Sequence, residues 1–291
     1  QVVVEATASY EWFVQLVEPM ADRVLLAHPK TLRVIAESKN KTDKVDAGVL
    51  AEFLALDMIP EAYRPTPRTR EHRTLVRQRR YVVGRITSVK NRLRHKLANY
   101  NADVKELFSA AGQKHLTEFR VSPSDRFVID QLCEEPEHHE RQLAAVDAEL
   151  ARFAREAPAA EREARAVLDT MPYVGPVTID AVLSEVGDVR RFRSQKRAAS
   201  FSGLVPGQRA SAGTAHSLGI TKAGSRILRW ALVETAWRLV ARTRRWGMIY
   251  EKLKARAGAK KAIVAVARRV FVVMTAMLQS GQAYREAAVV T

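Results

Sequence analysis

Apolar positions along this chain change period several times, and each change predicts a different element. Val2 to Val4 open a short β-branched run, VVVEAT, that places the carboxylate of Glu5 at its end. Tyr10 to Val17 has helical spacing, and a second apolar run at Val24 to Ala27 is closed by His28-Pro29. Strand, helix, strand and helix in that order predict a parallel α/β unit. Its last helix is marked by Val45, Val49, Leu50, Phe53 and Leu54, and the turn-rich stretch from Ile59-Pro60 to Pro67 ends the region.

Beyond it the pattern is helical. Leu75, Val82, Ile86, Val89, Leu93 and Leu97 recur at steps of three, four or seven and predict a long helix over 68–108. A break at Val121-Ser122-Pro123-Ser124-Asp125 precedes a second helix carrying Leu143, Val146, Leu150 and Phe153. The pair reads as an antiparallel, coiled-coil-like hairpin: a dimer arm, an RNA-contacting arm or plain bundle core. From about Ala166, LDTMPYVGPVTIDAVLSEVGDVRRFRSQ reads as a helix-hairpin-helix around a tight Gly175-Pro176 turn. Backbone amides at such a helix start can bind a phosphate; a purely structural turn fits equally well. The glycine- and hydroxyl-rich stretch from Gly203 to Gly224 is expected to form no regular element, only an exposed loop, with helix resuming near Ser225. The predicted fold class is mixed α/β and α, divided at 1–62, 63–160 and 161–291.

Charge then narrows the function. The chain holds 48 Lys and Arg against 32 Asp and Glu, a net charge of +16. Between Glu61 and Tyr100 twelve basic residues face two acids, and from Lys222 to Arg269 fourteen face Glu234 and Glu251. Arginine-rich clusters on helices are the footprint of a nucleic-acid partner; Arg77, Arg80, Lys222, Arg226 and Arg229 are the candidate phosphate contacts. The single cysteine, Cys133, excludes an intramolecular disulfide and fits a reducing cytoplasm. With His138 and His139 it is too few ligands for zinc, and the three read as surface residues of an acidic helix. No signal peptide or spanning segment stands out. The most apolar run, Val270 to Leu278, is about half the length a bilayer requires and reads as a buried helix, so no membrane role is expected.

Candidate chemistry lies in SKNKTDKVDAGVLAEFLAL, residues 38–56. Asp43 and Asp46 are three apart, on one face of the predicted helix, with Lys39, Lys41 and Lys44 around them. Carboxylates there serve either as helix-capping acids or as ligands for a divalent cation held against a phosphodiester. The strand–helix grammar brings Glu5 to the same sheet edge, which makes three acids.

VVVEATASYEWFVQLVEP followed by LLAHPKTLRVIAESKNKTDKVDAGVLAEFL resembles the RuvC-like domain of the insertion-sequence-110 family of DEDD transposases, bacterial insertion-sequence recombinases associated with a guiding bridge RNA. The resemblance implies an RNase H-like α/β fragment, a Mg²⁺ cofactor, and Glu5, Asp43 and Asp46 as the last three members of an Asp-Glu-Asp-Asp tetrad. In that family the first aspartate lies on an earlier strand, so the resemblance implies an N-terminally truncated chain that is inactive or weak alone. Farther along, Gly203-Leu204-Val205-Pro206 and Ile220-Thr221-Lys222-Ala223-Gly224 are similar to the family's segments around a serine nucleophile. That register implies Ser211 as the nucleophile, ahead of Ser202 and Ser217, although Ala212 replaces the family's glycine; Tyr173 likewise replaces a glycine of the hairpin. The implied function is an RNA-guided DNA transposase, cytoplasmic and homo-oligomeric, with the acids and the serine forming one composite site. A RuvC-like nuclease acting through water, or an inactive nucleic-acid-binding remnant, are the alternatives.

Overall fold

A computed structural model describes residues 1–7, 9–29, 31–32, 43–211 and 214–286, without the side chains of 43–44, 208–211 and 214–217. They form two compact units, Gln1–Thr66 and Pro67–Thr291.

In the first unit β1 (Val2–Glu5) pairs in parallel with β2 (Val24–Ala27), Val2 opposite Val24 and Glu5 opposite Ala27. Parallel strands need a crossover, supplied by α1 (Tyr10–Val17) and a 3₁₀ turn at Glu18–Met20. Leu25, Leu26 and Ala27 are buried, so β2 is the apolar centre. The other edge of β2 is occupied by the proline-rich stretch: Ala27 bridges Glu61, and the Ala62 amide donates to the Leu26 carbonyl at 2.6 Å. Arg64 holds that stretch to the crossover by donating to Glu11 at 2.7 Å and Glu18 at 2.9 Å. α2 (Asp43–Ala55) packs on β1. Its predicted apolar face is half-buried at Val49, Leu50, Phe53 and Leu54, while Val45 is exposed.

The second unit begins with α3 (Pro67–Ala98), which runs antiparallel to α5 (Pro123–Arg155). The direction follows from pairs that descend along α5 as they ascend α3: Arg79 with Asp147, Lys90 with Glu140, Lys96 with Asp125. Val89, Leu93 and Leu97 meet Ile129 and Leu132 in one core, capped by α4 (Ala110–Glu118) through Leu116. Ser122 starts α5 by accepting a hydrogen bond from the Asp125 amide.

At its other end α3 meets α7 (Pro176–Val186), which follows α6 (Ala159–Asp169). The junction is ionic and buried. The Asp180 carboxylate accepts from His72 Nε2 at 2.9 Å and from Arg165 at 2.8 Å, and Arg165 also holds Glu161, which pairs with Arg68. In the turn before α7, Tyr173 has φ of 62°, so the backbone keeps a left-handed conformation that glycine would adopt with less strain.

The rest of the unit surrounds α11 (Ala259–Ser280). Val266, Val270, Phe271 and Met274 are fully buried against α8 (Gln195–Phe201), α9 (Arg226–Arg242) and α10 (Arg244–Ala257). α11 is long and apolar enough to cross a membrane by composition alone, and half of it is buried here as the core helix. One expectation is overturned. Within the stretch from Gly203 to Gly224, β3 (Pro206–Ser211) and β4 (Thr214–Ile220) form an antiparallel hairpin, Arg209 opposite His216 and Ser211 opposite Thr214. Ladder bonds run between backbone groups, so small polar residues can satisfy them without apolar side chains.

Candidate functional site

The acids come first. Glu5 closes β1, exposed, where the parallel pair ends. Asp43 is the first residue of α2 with its side chain outside the described residues, and Lys39 and Lys41 lie outside them altogether. Asp46 sits one turn into α2, half-buried. Its Oδ1 is shut off from solvent and has no hydrogen-bond partner among the described residues. A buried carboxylate oxygen without a donor is costly, and a hard cation is one group that would satisfy it. Carboxylates are the donor set that Mg²⁺ prefers. Among the described residues there is no cluster of three potential ligands, Asp43 being outside that comparison. Cys133 is exposed on α5 with His138 and His139.

The two basic windows meet different fates, which composition could not reveal. On α3 most cations are bound within the fold: Arg68 to Glu161, Arg79 to Asp147, Lys90 to Glu140, Arg94 to Asp103 and Lys96 to Asp125. Arg73 donates to the carbonyls of Ser184 and Glu185, the last two positions of α7 but one. Much of that charge therefore joins helices instead of facing a polyanion. From Lys222 to Arg269 the only ion pair among the described residues is Lys254 with Glu251, at 3.2 Å. Most of the charge of this second window is therefore without a carboxylate partner among the described residues.

Folding brings one candidate contact of the first window, Arg80, against the second. Arg80 of α3 lies over the Trp230 ring of α9, 5.1 Å from its centroid, and Arg80 and Ile227 border the same small cavity. Arg226 is exposed one turn before Trp230. Arg77, also exposed, reaches Glu185 at 3.9 Å. Lys222 is exposed with φ of 54° in the turn that leaves β4. Arg229 does something the sequence did not suggest: its Nη1 donates to the carbonyls of Ala223 and Gly224 at 2.9 and 3.0 Å, tying the hairpin to α9. Burial first, and then the charge of Arg226, lower the Arg229 pKa. Two arginines side by side with no carboxylate between them suit an anion. Sequence reasoning missed Trp230, whose contact is set by tertiary packing alone.

The hairpin that ends in Ser211 is closed at its root by backbone contacts. Thr221 N–H donates to Val205 at 2.9 Å and Lys222 N–H to Gly203 at 3.1 Å. Ser211 is the last residue of β3, its side chain outside the described residues. Ser202, by contrast, is fully buried and donates to Ala199, and Ser225 caps α9.

Comparison with known proteins gives this arrangement a class. Residues 1–102 match a family model of the DEDD insertion-sequence-110 type described as Transposase, and residues 165–251 match one described as Transposase IS116/IS110/IS902 family. The transposase for insertion sequence element IS1328 of Yersinia enterocolitica is 26% identical over 258 residues, 81% of this chain and 69% of that protein. The transposase for IS1111A of Coxiella burnetii is 25% identical over 298 residues, 98% of this chain and 79% of that protein. An uncharacterized 43.6 kDa protein of insertion element IS110 from Streptomyces coelicolor is 30% identical over 119 residues, 40% of this chain and 29% of that one. A chain with a small parallel α/β unit and a cation-rich helical unit is, on these matches, a DNA transposase or recombinase. The chain belongs to the insertion-sequence-110 family of transposases.

Proposed function

We propose that this transposase cuts and rejoins DNA through a serine-linked intermediate, with Glu5, Asp43 and Asp46 holding a divalent cation, Mg²⁺, and Ser211 as nucleophile. The observation that carries the reading is the buried, unpartnered Oδ1 of Asp46 on a helix packed against the strand that ends in Glu5. On this reading the first unit is a RuvC-like fold and the stretch from about Ala166 to Gly187 acts as a helix-hairpin-helix around Gly175-Pro176. The regions 1–62, 63–160 and 161–291 are then acidic domain, helical arm and serine domain. A guide RNA and a second copy of the chain complete the proposed assembly.

A bound cation supplies Lewis-acid polarisation of the scissile phosphate and favours departure of the 3′-oxygen. The chain's own residues do the rest. Ser211 Oγ forms the new bond to phosphorus as the P–O3′ bond breaks, and its proton passes through solvent to the leaving 3′-oxygen. The phosphoserine ester conserves the bond, so a later 3′-hydroxyl can reverse the step on another strand. An unactivated serine is a weak nucleophile; Arg226 and Arg229 are the proposed clamps on the phosphate.

Trapping on nicked donor DNA tests this reading. Wild type is expected to accumulate a covalent protein–DNA adduct, Ser211→Ala none; adduct from Ser211→Ala would overturn the serine. Loss of strand cleavage in Asp46→Ala alone, with Ser211→Ala still cutting, would point to hydrolysis by water. Metal binding has a separate readout without DNA. Mg²⁺ is expected to raise the thermal midpoint of wild type and to leave Asp46→Asn unmoved, by the linkage that stabilises any state binding a ligand. Equal shifts in both proteins would remove Asp46 from the metal site.

A further inference from the structure

Between α8, α10 and α11 lies an open groove of about 700 Å³, beside the start of β3. Val205, Pro206, Ile249, Val272 and Val273 give it an apolar floor. Lys196, Arg245, Arg268 and Arg269 rim it, and no carboxylate lines it among the described residues. Lys196 and Arg269 are exposed, and neither Lys196, Arg268 nor Arg269 has an ion-pair partner among the described residues. Arg245 donates to the Arg285 carbonyl at 3.5 Å and lies over the Trp246 ring, 5.7 Å from its centroid.

Cations over an apolar floor select among polyanions. A duplex turns its phosphates outward and keeps its base faces stacked inside, so this floor would touch nothing of it. An unpaired strand carries one phosphate per nucleotide and exposes apolar base faces, matching both surfaces at once. The sugar also matters. That the strand carries deoxyribose follows from the proposed action on DNA.

We propose that this groove holds a short unpaired DNA strand, phosphates on the Lys196–Arg269 rim and bases on the valine floor, and delivers it to the root of the β3–β4 hairpin. The proposal rests on the reading that the chain acts on DNA, and it does not depend on which residue is the nucleophile.

Fluorescence anisotropy on the full chain tests it with a short oligodeoxythymidylate, the same length of oligouridylate, a duplex and an abasic oligodeoxynucleotide. Wild type is expected to bind the oligodeoxythymidylate most tightly. The double variant Lys196→Gln, Arg269→Gln, both on exposed positions that leave packing intact, is expected to weaken that binding about tenfold. It should also reduce the slope of log affinity against log salt by roughly 1.4, the share of two phosphates on a single strand. Lys260→Gln with Lys261→Gln, on α11 outside the groove, is the matched control and is expected to change less. Unchanged binding by the groove variant, equal losses in the control, or preference for duplex, oligouridylate or abasic strand would each overturn the proposal. Ser211→Ala is expected to bind the oligodeoxythymidylate like wild type. Failure of the serine chemistry therefore leaves this result standing, and failure here leaves the adduct assay intact.

Discussion

An Asp180→Ala variant is expected to lose roughly 3–5 kcal/mol of unfolding free energy, the usual cost of removing one partner from a buried ion pair. Asp180 is 6% exposed and His72 3%. The carboxylate is the acceptor for both His72 and Arg165, and its removal leaves a buried guanidinium with Glu161 as its remaining counter-charge. This network is also where α3 is fastened to α7, so the loss should appear as a lower denaturant midpoint for the whole second unit. Asp180→Asn keeps the shape and one acceptor and is expected to lose less. Urea unfolding followed by circular dichroism measures both; a loss under about 1 kcal/mol in Asp180→Ala would show that the pair is not desolvated as its burial indicates.

Gly203→Ala is expected to open the root of the hairpin. Gly203 has φ of 69°, and a Cβ there would sit 1.9 Å from the Ala223 carbonyl oxygen. The left-handed conformation alone costs an alanine roughly 1–2 kcal/mol. The collision is with backbone and cannot be relieved by a rotamer change. Gly224 opposes it symmetrically: φ of 76°, with a Cβ that would meet the Phe201 carbonyl oxygen at 2.6 Å. Hydrogen exchange is the direct readout. Amides of Thr221 and Lys222, bonded to Val205 and Gly203, should lose protection while those within α11 keep theirs. Retained protection at Thr221 would mean that the root tolerates a side chain. Under the proposed serine chemistry, adduct formation should fall with the protection, because an unanchored hairpin cannot hold a hydroxyl in line with a phosphate.

Legibility differed by element for physical reasons. Tyr10–Val17 and Val24–Ala27 were readable to the residue, because a short strand and a short helix around one apolar layer leave little freedom of period. The long helices of the second unit were readable from Leu93, Leu97 and Phe153. The β3–β4 hairpin was not, since Gly207, Ser211 and Thr214 carry no apolar alternation and its stability comes from the backbone ladder and the two glycines at its root. The signal that could have disclosed it was spacing: segments of six and seven residues lie two residues apart in the sequence, the length of a tight hairpin connection.

Charge shows the division most clearly. Sequence by itself determined that the protein is strongly cationic, where along the chain the arginines cluster, which carboxylates share a helix face and which family the motifs resemble, because composition and short-range periodicity are local properties. Only the tertiary structure decided that α3 arginines face acids of α5 and α6, that among the described cations from Lys222 to Arg269 only Lys254 gains an ion-pair partner, and that Arg80 meets Trp230. A charge counts toward a partner only when folding has placed no opposite charge beside it, and for Arg68 with Glu161 and Arg79 with Asp147 that placement joins residues 93 and 68 positions apart, beyond any period a sequence can carry.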